Sequence, residues 1–439
     1  MVQRMNGRWA VSAAVGVLCG YLSGYVIGHT RTNYAVVVRD GRASWFGSGP
    51  GAAAVVAALI AVVVVVVLGR FRARYLVAVA AGLAGLAMVV AIAALQSAGT
   101  WSEPWVLGSV GAGLLIAVAV IRPAAQTWFV VGSVIAVLYG ARIDESVALA
   151  RRYADYLPTR TVPDLPESWP LLVAAVIALL AAGFVVGRDR IEPVAGGRAV
   201  LVGAGIPLAT GALIMVLGQL PGNPSVTVAV LAVAGTVAVS WWLPRADAIF
   251  VLTMLALSAA IAVDPSMTGG PGRVGLSIQV GVLALGALLA MVGRRAWSDT
   301  PSPAPEATDA GRWVPVAAIG LLGLVTLSGL APVLFADATF TDVVFGYVLP
   351  AAIGLAVGAS LPAGPLTVIG VSVFPVVARL FENSRAAGEV DTGWTAYAPD
   401  TYAVATATEL PIIAATVVIA GCALLAARRR PAPADTDQG

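Results

Sequence analysis

Residues 50–96 read PGAAAVVAALIAVVVVVVLG, then RFRAR, then YLVAVAAGLAGLAMVVAIAALQ. Two uncharged apolar runs, at 50–69 and 75–96, therefore flank a short turn that carries three arginines. The hydrocarbon core of a bilayer is about 30 Å thick and needs roughly 20 apolar residues per helix. Each run is long enough to span it, so this stretch predicts a helical hairpin in a membrane with its turn at one surface.

The whole chain follows the same pattern. Of its 439 residues, 59% are hydrophobic and 11% are charged, whereas soluble domains carry roughly 25% charged residues. We therefore predict an all-α polytopic membrane protein with about 14 transmembrane helices. The spans are expected near 8–28, 50–69, 75–96, 104–121, 124–141, 169–187, 198–218, 225–243, 247–263, 274–293, 313–334, 343–361, 363–380 and 403–427.

The orientation of these spans is predicted from the arginines, because arginine-rich loops remain on the cytoplasmic side. With both termini inside, 16 arginines and 8 acidic residues lie inside, against 10 arginines and 15 acidic residues outside. The two faces then carry +8 and −5, which agrees with the net charge of +3. We expect a multi-pass protein of the inner (plasma) membrane with cytoplasmic termini.

An internal repeat is the most informative feature of the sequence. Pro123 and Pro362 lie 239 residues apart (362 − 123), Arg142 and Arg379 lie 237 apart (379 − 142), and Pro170 and Pro411 lie 241 apart (411 − 170). These landmarks lie on spans 4 to 6 in the first copy and on spans 12 to 14 in the second, so the copies are displaced by eight helices. Because eight is an even number, both copies cross the bilayer in the same direction. The sequence predicts two parallel six-helix bundles, residues 1–190 and 247–430. A two-helix insert, 191–246, separates them, and a disordered cytoplasmic tail, 431–439, follows.

The turn Gly69-Arg70-Phe71-Arg72-Ala73-Arg74 resembles a shortened form of the Gly- and Arg-rich cytoplasmic loop of the major facilitator superfamily. The fourteen-helix drug:proton antiporter branch of that superfamily carries the same two extra helices between its halves. The family's Asp in this loop and two neighbouring residues are missing here. The resemblance implies alternating access, with a substrate bound between the bundles near mid-membrane.

Two charged pairs mark the outer ends of helices that correspond in the repeat. Arg142 with Glu145, and Arg379 with Glu382, have the i, i+3 spacing that places both side chains on one helix face. They are candidates for an extracytoplasmic gate or for a rim that engages an anionic head group. The alternative is a snorkelling arginine with a surface carboxylate neighbour.

Glu409 lies at the start of the last predicted span, and Glu167 is its counterpart in the first copy. Carboxylates within a membrane usually face a cavity or a partner, so both are candidates for proton coupling. Helix N-terminal carboxylates favoured by the macrodipole are the alternative interpretation. No predicted span carries a carboxylate near its middle. Transport would therefore need a proton site near the outer surface or a substrate that moves without protons.

Tyr21, Tyr25 and Gln126 are candidates for lining a substrate cavity, with ordinary packing as the alternative. The apolar spans favour a hydrophobic or amphipathic small molecule or a lipid as substrate, with membrane lipid as the surrounding partner. The sequence has no phosphate loop, zinc-ligand spacing or nucleic-acid patch. No cofactor, metal or nucleic-acid partner is therefore predicted.

Two further classes stay open. The segment from Arg142 to Arg160, which contains Tyr153 and Asp155, would suit a membrane-embedded glycosyltransferase or polymer ligase acting on a lipid-linked substrate at the outer face. A non-catalytic scaffold of the cell envelope is the other alternative.

Overall fold

The computed structural model describes most of the predicted spans and little of the longer loops. The described residues are 2–29, 50–97, 105–147, 169–193, 197–217, 224–263, 273–298, 307–330, 343–360, 364–374 and 409–428.

Within these ranges the chain forms fourteen α-helices. A 3₁₀ turn (Ser328–Leu330) follows α11, and a π-helical turn (Val344–Val348) precedes α12. The helices are α1 (Val2–His29), α2 (Pro50–Arg70), α3 (Tyr75–Ser97), α4 (Trp105–Val120), α5 (Pro123–Val147), α6 (Trp169–Val186), α7 (Gly197–Leu217), α8 (Pro224–Trp242), α9 (Arg245–Ile261), α10 (Arg273–Ser298), α11 (Ala307–Leu327), α12 (Leu349–Ala359), α13 (Pro365–Val371) and α14 (Glu409–Arg428).

The predicted fold class is confirmed. The described ranges hold no strand, and their one β-type pairing is an isolated bridge between Arg74 and Arg190. Seven of the helices are long and apolar enough to cross a membrane. The apolar runs located the helices well but not all of their ends, since α5 continues to Val147 and α10 to Ser298. An apolar run measures the hydrocarbon thickness, whereas a helix continues into the polar interface wherever its backbone remains hydrogen-bonded.

Close packing of α1 against α5 organises the first of two compact units, which comprises Met1–Ala234, Met267–Gly281 and Pro362–Tyr397. A Cβ atom on Gly20 would lie 2.2 Å from the carbonyl oxygen of Phe129, and one on Gly132 would lie 2.2 Å from that of Val17. Only glycine permits this approach, which is how small residues at four-residue spacing bring membrane helices together. On α1 the residues at this spacing are Gly16, Gly20 and Gly24.

The remaining helices of the first unit surround this pair. Helix α4 contacts α1, α2 and α3, and α6 contacts α1 and α3. Helix α7 contacts both α2 and α13. A Cβ atom on Gly370 of α13 would lie 2.9 Å from the carbonyl oxygen of Val202 of α7. Helix α13, which the repeat groups with the C-terminal bundle, therefore has its described packing partners in the first unit. The boundaries at 190, 246 and 430 stay predictions.

The second unit, Gly235–Ser266, Val282–Leu361 and Ala398–Gly439, is built around α9. Nearly every residue of α9 from Asp247 to Ile261 is buried, and the helix contacts α11, α12 and α14. Helix α12 packs closely on α10, because a Cβ atom on Gly354 would lie 2.1 Å from the carbonyl oxygen of Leu283.

Four helix contacts of the first unit recur in the second, whereas the extensive α1–α5 contact has no counterpart of similar extent, since α13 packs in the first unit. In the first unit α1 contacts α4 and α6, and α3 contacts the same two helices; in the second, α9 and α11 each contact α12 and α14. Raising each helix number by eight converts one set into the other. Gly113 of α4, which faces the carbonyl oxygen of Ala57 on α2, and Gly354 of α12 lie 241 residues apart (354 − 113). This separation falls in the register of the sequence repeat.

Candidate functional site

Tyr21 and Tyr25 occupy successive turns of α1, on the part of that helix that packs in the first unit. Their side chains are 7% and 6% exposed. The two rings stack, with centroids 6.1 Å apart and an interplanar angle of 17°. Both tyrosines therefore lie in the interior of the unit, as expected for residues that line a path through it and also for packed core residues.

Gln126 lies near the start of α5 and is 2% exposed. Its side-chain nitrogen donates a hydrogen bond of 2.8 Å to the carbonyl oxygen of Val120, the last residue of α4. The amide thereby satisfies a helix-terminal carbonyl that the helix itself leaves without a donor. Gln126 thus has a structural role at the α4–α5 turn besides the binding role expected from the sequence.

The structure describes only some of the charged residues predicted at the outer ends of the helices. Arg142 and Glu145 lie in the C-terminal turns of α5, and Glu409 is the first residue of α14. Arg379, Glu382 and Glu167 lie outside the described residues. The gate and proton-coupling roles of all six therefore stay predictions.

At the opposite end of the first unit, two arginines converge on one aspartate. Arg8 Nη2, at the start of α1, lies 2.8 Å from both carboxylate oxygens of Asp189, which follows α6. Arg122 Nη2, in the α4–α5 turn, lies 2.5 Å from Asp189 Oδ2. One carboxylate thereby connects three parts of the bundle. Ionic hydrogen bonds of this kind are stronger than neutral ones.

Tyr75, the first residue of α3, lies beneath this cluster. Its ring centroid is 5.1 Å from Arg122 Cζ, a cation–π arrangement. Its backbone N–H donates to the carbonyl oxygen of Asp189 at 2.8 Å, and its hydroxyl donates to the carbonyl oxygen of Val118 at 3.3 Å. The tyrosine therefore connects the start of α3 to the end of α4 and to the segment after α6.

The ionisation of Asp189 reflects these neighbours. Burial of the carboxyl alone would raise its pKa, but the hydrogen bond and charge of Arg122, together with those of Arg8, outweigh burial. The pKa of Asp189 is consequently held below its ordinary value, and the carboxylate is charged at neutral pH.

Backbone hydrogen bonds join the α2–α3 turn to the segment after α6. Leu76 N donates to the carbonyl oxygen of Gly187 at 3.1 Å, and Ile191 N donates to that of Ala73 at 2.9 Å. With the Tyr75–Asp189 bond they place Arg74 directly opposite Arg190. Two loops that are more than a hundred residues apart in sequence therefore form one surface, with arginines on both segments.

The sequence reasoning treated Arg8, Arg122 and the arginines beside Asp189 only as indicators of topology. A signal was present nevertheless. Between residues 1 and 190, Asp189 is the single acidic residue in a segment predicted to be cytoplasmic. With Glu192, three residues further on, it is one of two carboxylates in the same segment, so pairing of Asp189 with at least one of the nearby arginines could have been expected. The glycine spacing on α1 was a second signal that was not used.

No family model matches the chain, and no curated protein does. Among solved structures the chain is similar to the fucose:proton symporter FucP of E. coli, with a TM-score of 0.41 and 13% sequence identity over 95% of this chain and 96% of that chain. A similarity of this size does not identify what the present chain binds or moves.

Proposed function

We propose that the chain is a membrane transporter that works by alternating access, as an MFS-like carrier with cytoplasmic termini. The observation that carries the proposal is the recurrence of four helix contacts inside the two units, those of α1 and α3 with α4 and α6, displaced by eight helices. Parallel six-helix halves are the building plan of the major facilitator superfamily. Repeated bundles give a carrier two similar bodies that rock against each other during the cycle.

The proposal of the drug:proton antiporter branch rests on the two extra helices expected between the halves, with local support from the α2–α3 turn. That turn lacks the acidic residue of the family's loop, but Asp189 lies beside it, with its carbonyl oxygen 2.8 Å from Tyr75 N. A carboxylate from the end of α6 thus occupies the neighbourhood in which the loop itself has none. This arrangement supports a cytoplasmic charge network built from different residues.

For the substrate we propose a hydrophobic or amphipathic small molecule or a lipid. Support comes from the stacked Tyr21 and Tyr25 on α1 and the buried Gln126 on α5. Stacked aromatic rings provide apolar area, and an amide provides one directed polar contact. Pockets that accept amphipathic molecules combine these two features.

Alternating access can be tested without knowing the substrate. Cys19 and Cys422, both buried, are replaced by Ala, and a single cysteine is introduced nearer the middle of the span as Tyr21→Cys. A membrane-impermeant maleimide is then applied to intact cells and to everted vesicles. A carrier exposes this position to each side in turn, so labelling is expected in both preparations. Val134→Cys on α5, at a position that is 0% exposed, is the control and should remain unlabelled in both.

Labelling of Tyr21→Cys from one side only, under every imposed gradient, would contradict alternating access. Transport in liposomes of ethidium and of a fluorescent phospholipid then separates the two proposed substrate classes. The probe that moves should move more slowly after Tyr25→Ala or Gln126→Ala. Ile177→Ala on the exposed face of α6 should leave its rate unchanged.

We assign proton coupling to Glu409, with Glu167 as its counterpart, and gating to the Arg142/Glu145 and Arg379/Glu382 pairs. Glu409→Gln should abolish the pH dependence of probe transport while the protein still folds. Glu192→Gln, an exposed carboxylate beyond the end of α6, is the matched control. Unchanged pH dependence in the Glu409 variant would remove this residue from the mechanism.

The enzyme and scaffold hypotheses predict experimental results that differ from those of the carrier hypothesis. Most of the segment from Arg142 to Arg160, on which the polymer ligase hypothesis depends, lies outside the described residues. Loss of polymer synthesis after neutralising Arg151 and Arg152, with normal probe transport, would favour the enzyme.

A further inference from the structure

Arg72, at the tip of the α2–α3 turn, has an unfavourable backbone conformation. Its φ of 46° is the one positive value among the described non-glycine residues. Arg72 N donates to the carbonyl oxygen of Gly69 at 3.1 Å, and Ala73 N donates to that of Leu68 at 2.9 Å. These two bonds define a Schellman motif with Arg72 at the left-handed position, which glycine usually occupies. An L-residue with a large side chain costs free energy there.

A second unfavourable feature lies in the same turn. Arg74 and Arg190 are partners in the isolated antiparallel bridge, and residues directly opposite each other have Cβ atoms roughly 4.5–5.5 Å apart. Like charges in that position destabilise the pairing. The neighbouring carboxylate does not relieve them, because Asp189 is paired with Arg8 and Arg122. Among the described residues at this end of the unit, the ion pairs are those of Arg8 and Arg122 with Asp189.

The tendency of arginine to remain in cytoplasmic loops explains how many arginines lie here. It does not explain why one of them occupies a glycine position or why two oppose each other across a bridge. An anion bound between Arg74 and Arg190 would compensate their repulsion. It would not relieve the left-handed backbone of Arg72, but a third arginine in the same turn would add to its binding.

Phe71 indicates where that anion comes from. It lies between Arg70 and Arg72 and is 76% exposed, and it follows directly on the apolar helix α2. Phe184, in the last turn of α6, is 97% exposed. Both are apolar rings exposed beside the end of a membrane span, where burial of their surface among lipid chains is favourable. The surface formed by Phe71, Arg72, Arg74 and Arg190, here called the Arg72 surface, therefore faces lipid phosphates rather than bulk water.

We propose that the Arg72 surface binds the phosphate of an anionic phospholipid, with Phe71 inserted among the acyl chains. Basic surfaces at the cytoplasmic ends of membrane helices recognise such head groups. The proposal goes beyond transport and does not depend on it, because its measurements are binding and thermal stability.

The experiment compares the melting temperature of the purified full chain in nanodiscs of phosphatidylcholine and of phosphatidylglycerol. The wild type should melt higher in phosphatidylglycerol. Arg190→Gln should raise the melting temperature in phosphatidylcholine, because the opposed charge is gone, and should lose most of the increase due to phosphatidylglycerol. Arg72→Gly should likewise be more stable than the wild type in phosphatidylcholine and less responsive to phosphatidylglycerol.

Arg198→Gln is the matched control, because Arg198 is an exposed arginine at the start of α7, near the segment after α6. It should keep the wild-type response. Native mass spectrometry should show one retained phosphatidylglycerol on the wild type and a loss of about fivefold in affinity for each arginine removed, since each contributes about 1 kcal/mol near an anionic surface.

Equal melting in the two lipids would overturn the proposal. An equal loss in Arg198→Gln would overturn it in favour of a diffuse surface potential. The same stabilisation by inorganic phosphate in phosphatidylcholine would replace the lipid with a soluble anion.

Discussion

Asp189 is the residue on which one end of the first unit depends. Its carboxylate accepts hydrogen bonds from Arg8 and Arg122, and its carbonyl oxygen accepts one from Tyr75 N. The side chain thus connects the start of α1 to the α4–α5 turn, while the backbone connects both to α3. Removing the charge should affect three helices together, although the side chain is one-third exposed and water screens the pairs.

Asp189→Asn keeps the shape of the side chain and removes its charge. We expect the free energy of unfolding to fall by about 1 kcal/mol, the size of a charge-assisted hydrogen-bond network that is partly screened. Thermal unfolding in detergent at neutral pH measures the change. Glu192→Gln, at an exposed carboxylate three residues away, should change the melting temperature little. An equal fall in both variants would mean that overall charge, rather than the network, is responsible.

The lowered pKa of Asp189 predicts that the stability of the protein depends on pH. Because the pKa of Asp189 is lowered in the folded protein, its contribution to stability is complete above the unfolded value of about 3.9 and is lost as the pH falls through the folded value. The difference in melting temperature between the wild type and Asp189→Asn should therefore be constant near neutral pH and shrink in strong acid. A difference that grows on acidification would contradict the lowered pKa.

At the scale of helices, backbone contact through glycine determines how α1 packs on α5. In lipid there is little hydrophobic driving force between helices, so close van der Waals packing has a larger share in their association. A side chain at Gly20 would meet the carbonyl oxygen of Phe129, an atom that moves only with its helix. The two helices would have to separate along their length.

Gly20→Ala should lower the free energy of unfolding by about 2 kcal/mol, in the range for overpacking a close contact. Gly281→Ala on α10 is the control, because a Cβ atom there has nothing within 4 Å and alanine favours a helix. That variant should be neutral or slightly stabilised. Folded yield and melting temperature in detergent measure both. A Gly20 variant as stable as Gly281→Ala would show that the close contact contributes nothing.

The faces of the helices could be predicted from the sequence less well than the helices themselves. The exposed apolar side chains of α6 recur on α14 at a separation of 240 residues: Val173 and Ile413, Ile177 and Val417, Phe184 and Leu424. That register was available in the sequence, but a helix that is apolar on every side has no periodic signal to mark which face meets lipid. Only packing distinguishes the exposed Ile177 from the buried Leu179.

The ion pairs of Asp189 could likewise be predicted only in part from the sequence. Counting arginines predicts which side a loop occupies, but it is blind to pairs formed across long sequence distances. The contact between Arg8 and Asp189 spans 181 residues, and it depends on the α1–α6 packing that brings the two helix ends together. Tyr21, Tyr25 and Gln126 are buried in the first unit, and their role in lining a substrate cavity stays a prediction. The sequence could not indicate the ring stacking or the bond to Val120.

At the scale of the molecule, the arginine distribution and the eight-helix repeat make a joint prediction about topology. Fourteen spans with cytoplasmic termini require that the chain be inside after α8 and outside after α9. Helix α9 begins at Arg245, directly after its connection to α8, and the segment after α9 carries Asp264, so the charges agree with that alternation.

Fusions of a fluorescent protein and of alkaline phosphatase test it. After residue 244 the fluorescent fusion should be bright and the phosphatase inactive, and after residue 266 the opposite should hold. A full-length fusion should behave like the first, because the chain has crossed the membrane an even number of times. A periplasmic C-terminus would require an odd number of spans. If the change in number lay between the two copies of the repeat, they would be displaced by an odd number of helices and would cross the membrane in opposite directions. A carrier built from parallel bundles would then no longer fit the chain.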